Sequence, residues 1–459
     1  MARLVVTAVF DIGKTNKKFF VFDENFNQVE HEYIRFSEIE DDDGFPSEDL
    51  DKLTAWVFST FDKLLANEKY RVKSLNFSTY GASLVHLDKD GNRVAPFYNY
   101  LKPFPIELEK QFFSNITRQE FEITTGSPFM GMLNSGLQLY FLKYIKPYIF
   151  SKVKYALHLP QYLSSLFTKQ YVTDFTSLGC HTGLWDFSKG EYADWVNVEG
   201  FPKILAPIVP STHTTIIERK GQQVAVGAGV HDSSSTLIPY INSSDEPFVL
   251  ISTGTWSICM NFFNQGLLTP KELKADCLNF LSLKGTSLKA SRLHLGRHLS
   301  EQAKLLSSIF KVDYAAYKTI EWPIDFLSKR SRKEALLFDH CLIEPERFGF
   351  TNEPNPDYSV FDSYQDALLN LFDELTDLQI ASLKLVDEES DIKKIYLDGG
   401  VSSSKVFIAF LSRKLPGFDI YSSSIALGSA MGAALLVNDK VLPKSFLSNN
   451  YKTIKHEVV

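Results

Sequence analysis

Four polar turns hold the side chains best suited to chemistry, and each suits a phosphate group or a hydroxyl that attacks one. The first runs Asp11-Ile12-Gly13-Lys14-Thr15-Asn16-Lys17-Lys18. A tight turn at Gly13 offers backbone N–H groups to phosphate oxygens. Thr15 and Asn16 add donors, and Lys17 or Lys18 supplies positive charge. Asp11, at a strand end, suits a magnesium ion held through water. Gly13-Lys14-Thr15 has part of a P-loop, but Ala8 stands where that motif needs its first glycine. The residues that follow, Lys18 to Phe22, are strand-like, whereas a P-loop runs into a helix. An ordinary polar hairpin turn is the alternative.

The second turn is Ser252-Thr253-Gly254-Thr255-Trp256-Ser257. Gly254 lets the backbone approach a phosphate, and Thr253 and Thr255 offer hydroxyls. Two such turns facing each other would grip one triphosphate. The third segment, Gly229-Val230-His231-Asp232 followed by Ser233 to Ser235, places an acid just past a strand. A carboxylate there can take a hydroxyl proton as the alcohol attacks phosphorus. It can equally cap the helix that starts near Thr236, and His231 can be purely structural. The fourth, Asp398-Gly399-Gly400, ends a strand and opens a helix. Glycine leaves its face open to a nucleotide, and a helix N-terminus attracts phosphate. Gly428 to Ala434 is small on one face, which suits close helix packing.

The elements that must carry these groups follow from periodicity. Val-rich Leu4 to Phe10 and the apolar run Phe19 to Phe22 predict a hairpin around the first turn. Leu53, Val57, Phe61 and Leu64 are at helical spacing. Ser74 to Ser78 and Leu84 to Leu87 predict strands, and Gly136 to Ile145 and Leu159 to Phe167 predict helices. Near residue 240 the pattern restarts, with strands at Pro247 to Ile251 and Ile258 to Phe263 around the second turn. The two strand–turn–strand units read as a weak internal duplication. A helix at Tyr364 to Val386, a strand at Ile395 to Leu397, and helices at Ser402 to Leu415 and Ala426 to Val437 complete an α/β pattern. The polar stretch Ser243 to Pro247 is the best boundary, dividing residues 1–243 from 244–459.

The bulk numbers fit two such domains. The chain has 459 residues, 44% of them hydrophobic, and a net charge of −7. That charge disfavours a nucleic-acid partner. Cys180, Cys259, Cys277 and Cys341 are scattered without a C-x-x-C pair, as expected of buried free thiols in a reducing compartment. No apolar stretch reaches the ~18 residues of a membrane span, and the N-terminus lacks a signal-peptide pattern. A cytoplasmic location without membrane attachment is the expectation.

In this order and spacing the motifs resemble the FGGY carbohydrate kinases, a family of the actin-like, ribonuclease H-like ATPase superfamily. The resemblance covers nearly the whole chain through Asp11 to Lys18, Gly229 to Asp232, Ser252 to Trp256, Leu397 to Ser403, and Ala426 to Ala434. Thr79-Tyr80-Gly81-Ala82 and Pro96-Phe97-Tyr98 are similar to the rhamnulokinase and fuculokinase side of the family. The resemblance implies two ribonuclease H-like (actin/hexokinase-like ATPase) domains with the active site in the cleft between them. The first would bind the sugar and hold the base, and the second would bind the nucleotide. ATP and Mg²⁺ are implied, with a ketose such as L-rhamnulose, L-fuculose or a xylulose, and a possible homodimer.

The same resemblance implies residue roles. Asp232 is the base, and Asp11 with Asp232 serves the metal. Gly13, Thr15, Asn16, Lys17, Lys18, Gly254 and Thr255 serve the phosphates, and Gly399 and Gly400 the adenosine. Thr79, Tyr80, Gly81, His231 and Asp232 meet the sugar. Lys14 departs from the family by replacing a small or hydroxyl residue, and Tyr80 replaces Trp. Leu273 to Gln302 aligns poorly, so Arg292, His294, Arg297 and His298 are given no site role. A non-catalytic sugar- or nucleotide-sensing protein on the same fold is the other reading.

Overall fold

The computed structural model describes residues 3–81, 83–323, 325–387, 392–423, 427–438 and 440–457. Ala82 and Ala426, both named in the motifs above, lie outside the described residues. Two mixed sheets organise the chain. The first contains β1 (Leu4–Ile12), β2 (Lys17–Asp23), β3 (Gln28–Ile34), β4 (Tyr70–Thr79), β5 (Thr214–Arg219) and β6 (Gln222–Gly227) in the order β5-β6-β4-β1-β2-β3, with β7 (Val230–His231) beside β4. The second contains β8 (Val249–Thr253), β9 (Ser257–Asn261), β10 (Cys277–Leu281), β11 (Ser287–Leu293), β12 (Lys394–Gly399), β13 (Asp419–Ser422) and β14 (Ile454–His456) in the order β10-β11-β9-β8-β12-β13-β14.

Both sheets repeat one scheme. An opening hairpin is antiparallel, and the first strand of each hairpin pairs parallel with a strand from later in the chain. In the first sheet β1 pairs β2 antiparallel and β4 parallel. In the second, β8 pairs β9 antiparallel and β12 parallel. The duplication expected from the two turns is therefore present as repeated topology.

Parallel strands buried on both faces need apolar residues on both sides. β1 provides them: Val6, Ala8, Phe10 and Ile12 pack with helix α1 (Leu50–Ala66), while Val9 faces the opposite way. In α1 the buried side chains include Leu53, Val57, Phe61 and Leu64, and Asp49 caps its start by accepting from the Lys52 N–H. Between the sheets lie α2 (Asp232–Ile241) and a second short helix of small residues, Gly428–Leu436. Leu237 and Ile238 of the one and Met431, Ala433 and Ala434 of the other share a core with Val9 and Phe20 from the first sheet and Leu250 and Met260 from the second. The two helices approach so closely that a Cβ on Gly432 would lie 1.8 Å from the Ser235 carbonyl oxygen. The outer face of the second sheet is covered by α3 (Leu295–Phe310), α4 (Tyr364–Asp387) and α5 (Lys405–Lys414). The small-residue helix is α6.

Two expectations need correcting. The helix expected over Ser402 to Leu415 begins at Lys405, because Val401–Ser403 forms a 3₁₀ turn and Ser404 caps α5 by accepting from the Phe407 N–H. Of the cysteines, Cys180, Cys259 and Cys277 are buried, but Cys341 is exposed.

Candidate active site

The hairpin register sorts the two lysines of the first turn. Across the β1–β2 ladder Asp11 faces Lys18 and Ile12 faces Lys17. Cross-strand partners share a face and sequence neighbours do not. Lys18 accordingly reaches Asp11, with Nζ 3.4 Å from Oδ2. Lys17 points the other way. It is buried, pairs with Glu48 at 2.8 Å, and donates to the Lys14 carbonyl at 2.9 Å. Lys17 thus braces the turn from beneath and offers no charge to a phosphate. In the turn itself the Gly13 N–H bonds the Asn16 carbonyl at 2.9 Å, Thr15 is exposed, and Asn16 Oδ1 accepts from Arg35 Nε at 2.7 Å.

The second turn is held differently. The Gly254 N–H bonds the Trp256 carbonyl at 2.7 Å, and the Thr255 carbonyl accepts from the Arg297 N–H at the start of α3. Thr253 is buried: its hydroxyl donates to the Asp398 carbonyl at 2.7 Å and accepts from the Val401 N–H at 3.0 Å. It ties the second turn to the fourth and is not free to meet a phosphate. The Gly400 N–H adds a bond to the Thr253 carbonyl at 2.7 Å. Gly399 has φ of +88°, and a Cβ there would sit 1.8 Å from the Thr253 oxygen, so only glycine fits.

Asp232 is the first residue of α2, and His231 holds the N-cap position. The carboxylate Oδ1 accepts from the Ser233 N–H at 2.6 Å and lies 3.2 Å from His231 Nε2. Burial pushes the His231 imidazole down to about 3, so the ring is neutral at neutral pH. The other ring nitrogen, Nδ1, shares a hydrogen bond with the Ser234 hydroxyl at 3.1 Å. The Asp232 side chain keeps 32% of its surface open. Even so, the surrounding protein, and after it the charge of Asp11, push its carboxyl up to about 7, against the Ser233 donors and Lys18. Asp11 itself is buried, and its Oδ1 accepts from the Ser429 hydroxyl at 2.8 Å. Two mutually repelling carboxylates at one cleft fit a divalent cation with oxygen ligands.

Of the three neighbours expected to meet a sugar, one lies against the His231 ring. A Cβ on Gly81 would stand 2.6 Å from Cys180 Sγ and 3.1 Å from His231 Cδ2. Thr79 is fully buried with its hydroxyl donated to the Tyr80 carbonyl, so it does not reach the cleft. Tyr80 is buried too, and its hydroxyl points 3.4 Å from Glu48. Its ring backs onto Tyr100, 5.9 Å away.

Several residues with no signal in their own neighbourhood join the site. The Tyr100 hydroxyl is pushed up to about 12 by burial and then by the charges of Asp232 and Glu38. A cavity of about 740 Å³ runs between residues 119–133 and the second half of the chain, lined by Met130, Trp256, Asp276, Arg292 and His294 among others. Arg292 pairs with Asp276 at 2.6 Å and lies 5.1 Å from the Trp256 ring centre. Burial, and after it the Arg292 charge, hold His181 down to about 3. Arg292 and His294, which had no site role by sequence, line this cavity together with Trp256 of the second turn. His298 is buried, 2.8 Å from His340, which in turn is 2.8 Å from Glu374.

Known proteins converge on the same reading. The model of the FGGY family of carbohydrate kinases, N-terminal domain, matches residues 6–238. A rhamnulokinase of Bacteroides thetaiotaomicron is 27% identical over 257 residues, 53% of this chain and 51% of that protein. One from Yersinia pestis (strain Pestoides F) is 26% identical over 340 residues, 71% of this chain and 64% of that protein. The chain thus matches about half to two thirds of the length of these curated relatives. The crystal structure of xylulose kinase from Rhodospirillum rubrum superposes with a TM-score of 0.81 at 16% identity, covering 99% of this chain and 94% of that one. The fold is that of the sugar kinases of the actin/hexokinase-like ATPase class, and the chain belongs to the FGGY family of carbohydrate kinases.

Proposed function

We propose that the protein transfers the γ-phosphoryl group of ATP to a hydroxyl of a ketose, with Asp232 as the base. One observation carries this most directly: a carboxyl with a value near neutrality, at the start of α2, opposite a second carboxylate and beside two glycine turns. A base works best when its pKa lies near the operating pH. L-Rhamnulose, L-fuculose and xylulose are the candidate acceptors. Rhamnulokinases among the relatives and a xylulose kinase among similar structures support that class.

In this reading residues 1–243 bind the acceptor and residues 244–459 the nucleotide. The acceptor lies by Gly81, His231 and Tyr100 with its hydroxyl toward Asp232. His231, neutral, lies against the carboxylate, and the Ser233 N–H orients it. The carboxylate takes the hydroxyl proton as oxygen attacks the γ-phosphorus. Thr15, Asn16 and Lys18 from one turn and Thr255 from the other surround the phosphates with donors, while the Gly13 and Gly254 N–H groups, expected to serve the phosphates, instead close their own turns. Gly400, with open space where a Cβ would stand, leaves a flat surface for the adenosine, and Gly399, expected to share it, packs against Thr253 instead. Magnesium, held at Asp11 and Asp232, would spread the charge of the transferring group. Positioning and charge stabilisation are most of the catalysis in this chemistry.

The test is ADP release with Mg·ATP against L-rhamnulose, L-fuculose, D- and L-xylulose, L-ribulose, D-fructose and glycerol. Turnover on one or two ketoses, lost in Asp232→Asn, is the expected result. Nucleotide binding without turnover on any acceptor would overturn it.

A further inference from the structure

Lys14 belongs by sequence to the phosphate turn, yet its ammonium lies on another side of it. Nζ is 2.7 Å from Glu38 Oε1 and 5.9 Å from the centre of the Tyr100 ring. Tyr100 is the phenol that feels the charge of Asp232, and it feels Glu38 as well. Lys18, four residues on, is the lysine of this turn that faces Asp11. The lysines of one turn are thus divided: Lys18 serves the Asp11 side, Lys17 the floor, and Lys14 the tyrosine wall.

We propose that Lys14, through its ion pair with Glu38, is a positioning residue for the acceptor and not a phosphate ligand. The inference rests on the kinase reading above. Glu38 and Asp232 both act on Tyr100, and Glu48 sits behind it on Tyr80. Lys17 balances Glu48. Lys14 is the cation that balances Glu38, and withdrawing it toward a phosphate would leave that carboxylate unpaired beside Tyr100. The pair can hold Tyr100 in place only while both partners are present. The Lys14 backbone is fixed as well, since its carbonyl accepts from Lys17 Nζ. The side chains of Lys14 and Glu38 keep 23% and 46% of their surface open and border a cavity of about 410 Å³. A ligand can therefore reach them, and losing the pair removes no core contact.

The experiment is steady-state kinetics of the full chain on the ketose it accepts best, with Lys14→Ala, Glu38→Gln, Lys14→Arg and the double variant Lys14→Ala/Glu38→Gln. Each of the first two is expected to raise the acceptor KM about fivefold, the scale of one partly exposed ion pair. The ATP KM and kcat stay within about twofold. The double variant is no worse than either single one, and Lys14→Arg restores the acceptor KM. Thr15→Ala behaves oppositely and raises the ATP KM. A rise in ATP KM for Lys14→Ala with the acceptor KM unchanged would make Lys14 a phosphate ligand and overturn the inference. Additive effects of the two single variants would also overturn it, because no pair would then be acting. If Lys14→Ala does not fold, Glu38→Gln and Lys14→Arg decide by the same readout. A wild-type chain that phosphorylates no acceptor overturns the kinase reading and this inference with it. Turnover with unaltered kinetics in the variants overturns this inference alone.

Discussion

Asp11 and Asp232 come from strand and helix elements more than two hundred residues apart, yet the charge of Asp11 is second only to burial in pushing the Asp232 carboxyl up to about 7. Removing that charge with Asp11→Asn lowers the Asp232 value. The acid limb of the kcat/KM profile then moves to lower pH in whatever activity remains. A pH–rate series on both proteins measures the shift. An acid limb that stays in place would mean that another group controls it.

The same raised value links Asp232 to stability. The folded state holds a proton that the unfolded chain, with an ordinary aspartate near 3.8, releases between about pH 4 and pH 7. This contribution is full below about 4 and is lost as the pH rises through 7. Asp232→Asn removes the penalty of the buried charge. It is expected to lose about a hundredfold or more in kcat while its Tm rises above wild type at pH 8 and matches it at pH 4. Thermal melts at the two pH values check the sign.

Lys17 and Glu48 form a buried pair at 2.8 Å, with a tyrosine hydroxyl beside them. Breaking such a pair strands a charge. Lys17→Met alone should cost about 3–5 kcal/mol in denaturant unfolding, and the double change Lys17→Met/Glu48→Leu should recover much of that. The ATP KM of the double variant should stay near wild type, since Lys17 does not face the phosphates.

Gly399→Ala sets a Cβ against the Thr253 carbonyl and strains a positive φ. A stability loss of about 1–3 kcal/mol is expected. Because Thr253 joins the second turn to Asp398, the ATP KM should rise while the acceptor KM holds. Titrating each substrate separately distinguishes the two.

What the sequence reveals and conceals follows from how local each feature is. Asp11, Asp232 and Gly399 are legible because each sits in a short segment whose neighbours dictate its setting. Asp232 was open between base and helix cap, and the structure resolves the cap by giving that position to His231. Lys17 and Lys18 were indistinguishable in composition. Only the register, with Asp11 opposite Lys18, decides which one faces the cleft. The Thr253 and Thr79 hydroxyls looked available, but both are taken by nearby carbonyls. Tyr100, Arg292 and His294 carry no motif. They enter through contacts between distant stretches of chain, such as the Asn279 N–H bonding the Gly126 carbonyl, which joins the halves beside the large cavity.

The contact between Gly432 and Ser235 has a mechanical meaning. α2 starts at Asp232, and Ser429, one residue into α6, donates to Asp11 and accepts from the Ser235 hydroxyl through its carbonyl. Asp232 thus opens α2 while Asp11, on β1, is tied through Ser429 to α6, so one close helix contact governs the approach of both carboxylates. Sliding α6 along α2 would draw Ser429 away from the Asp11 carboxylate and from the Ser235 hydroxyl together.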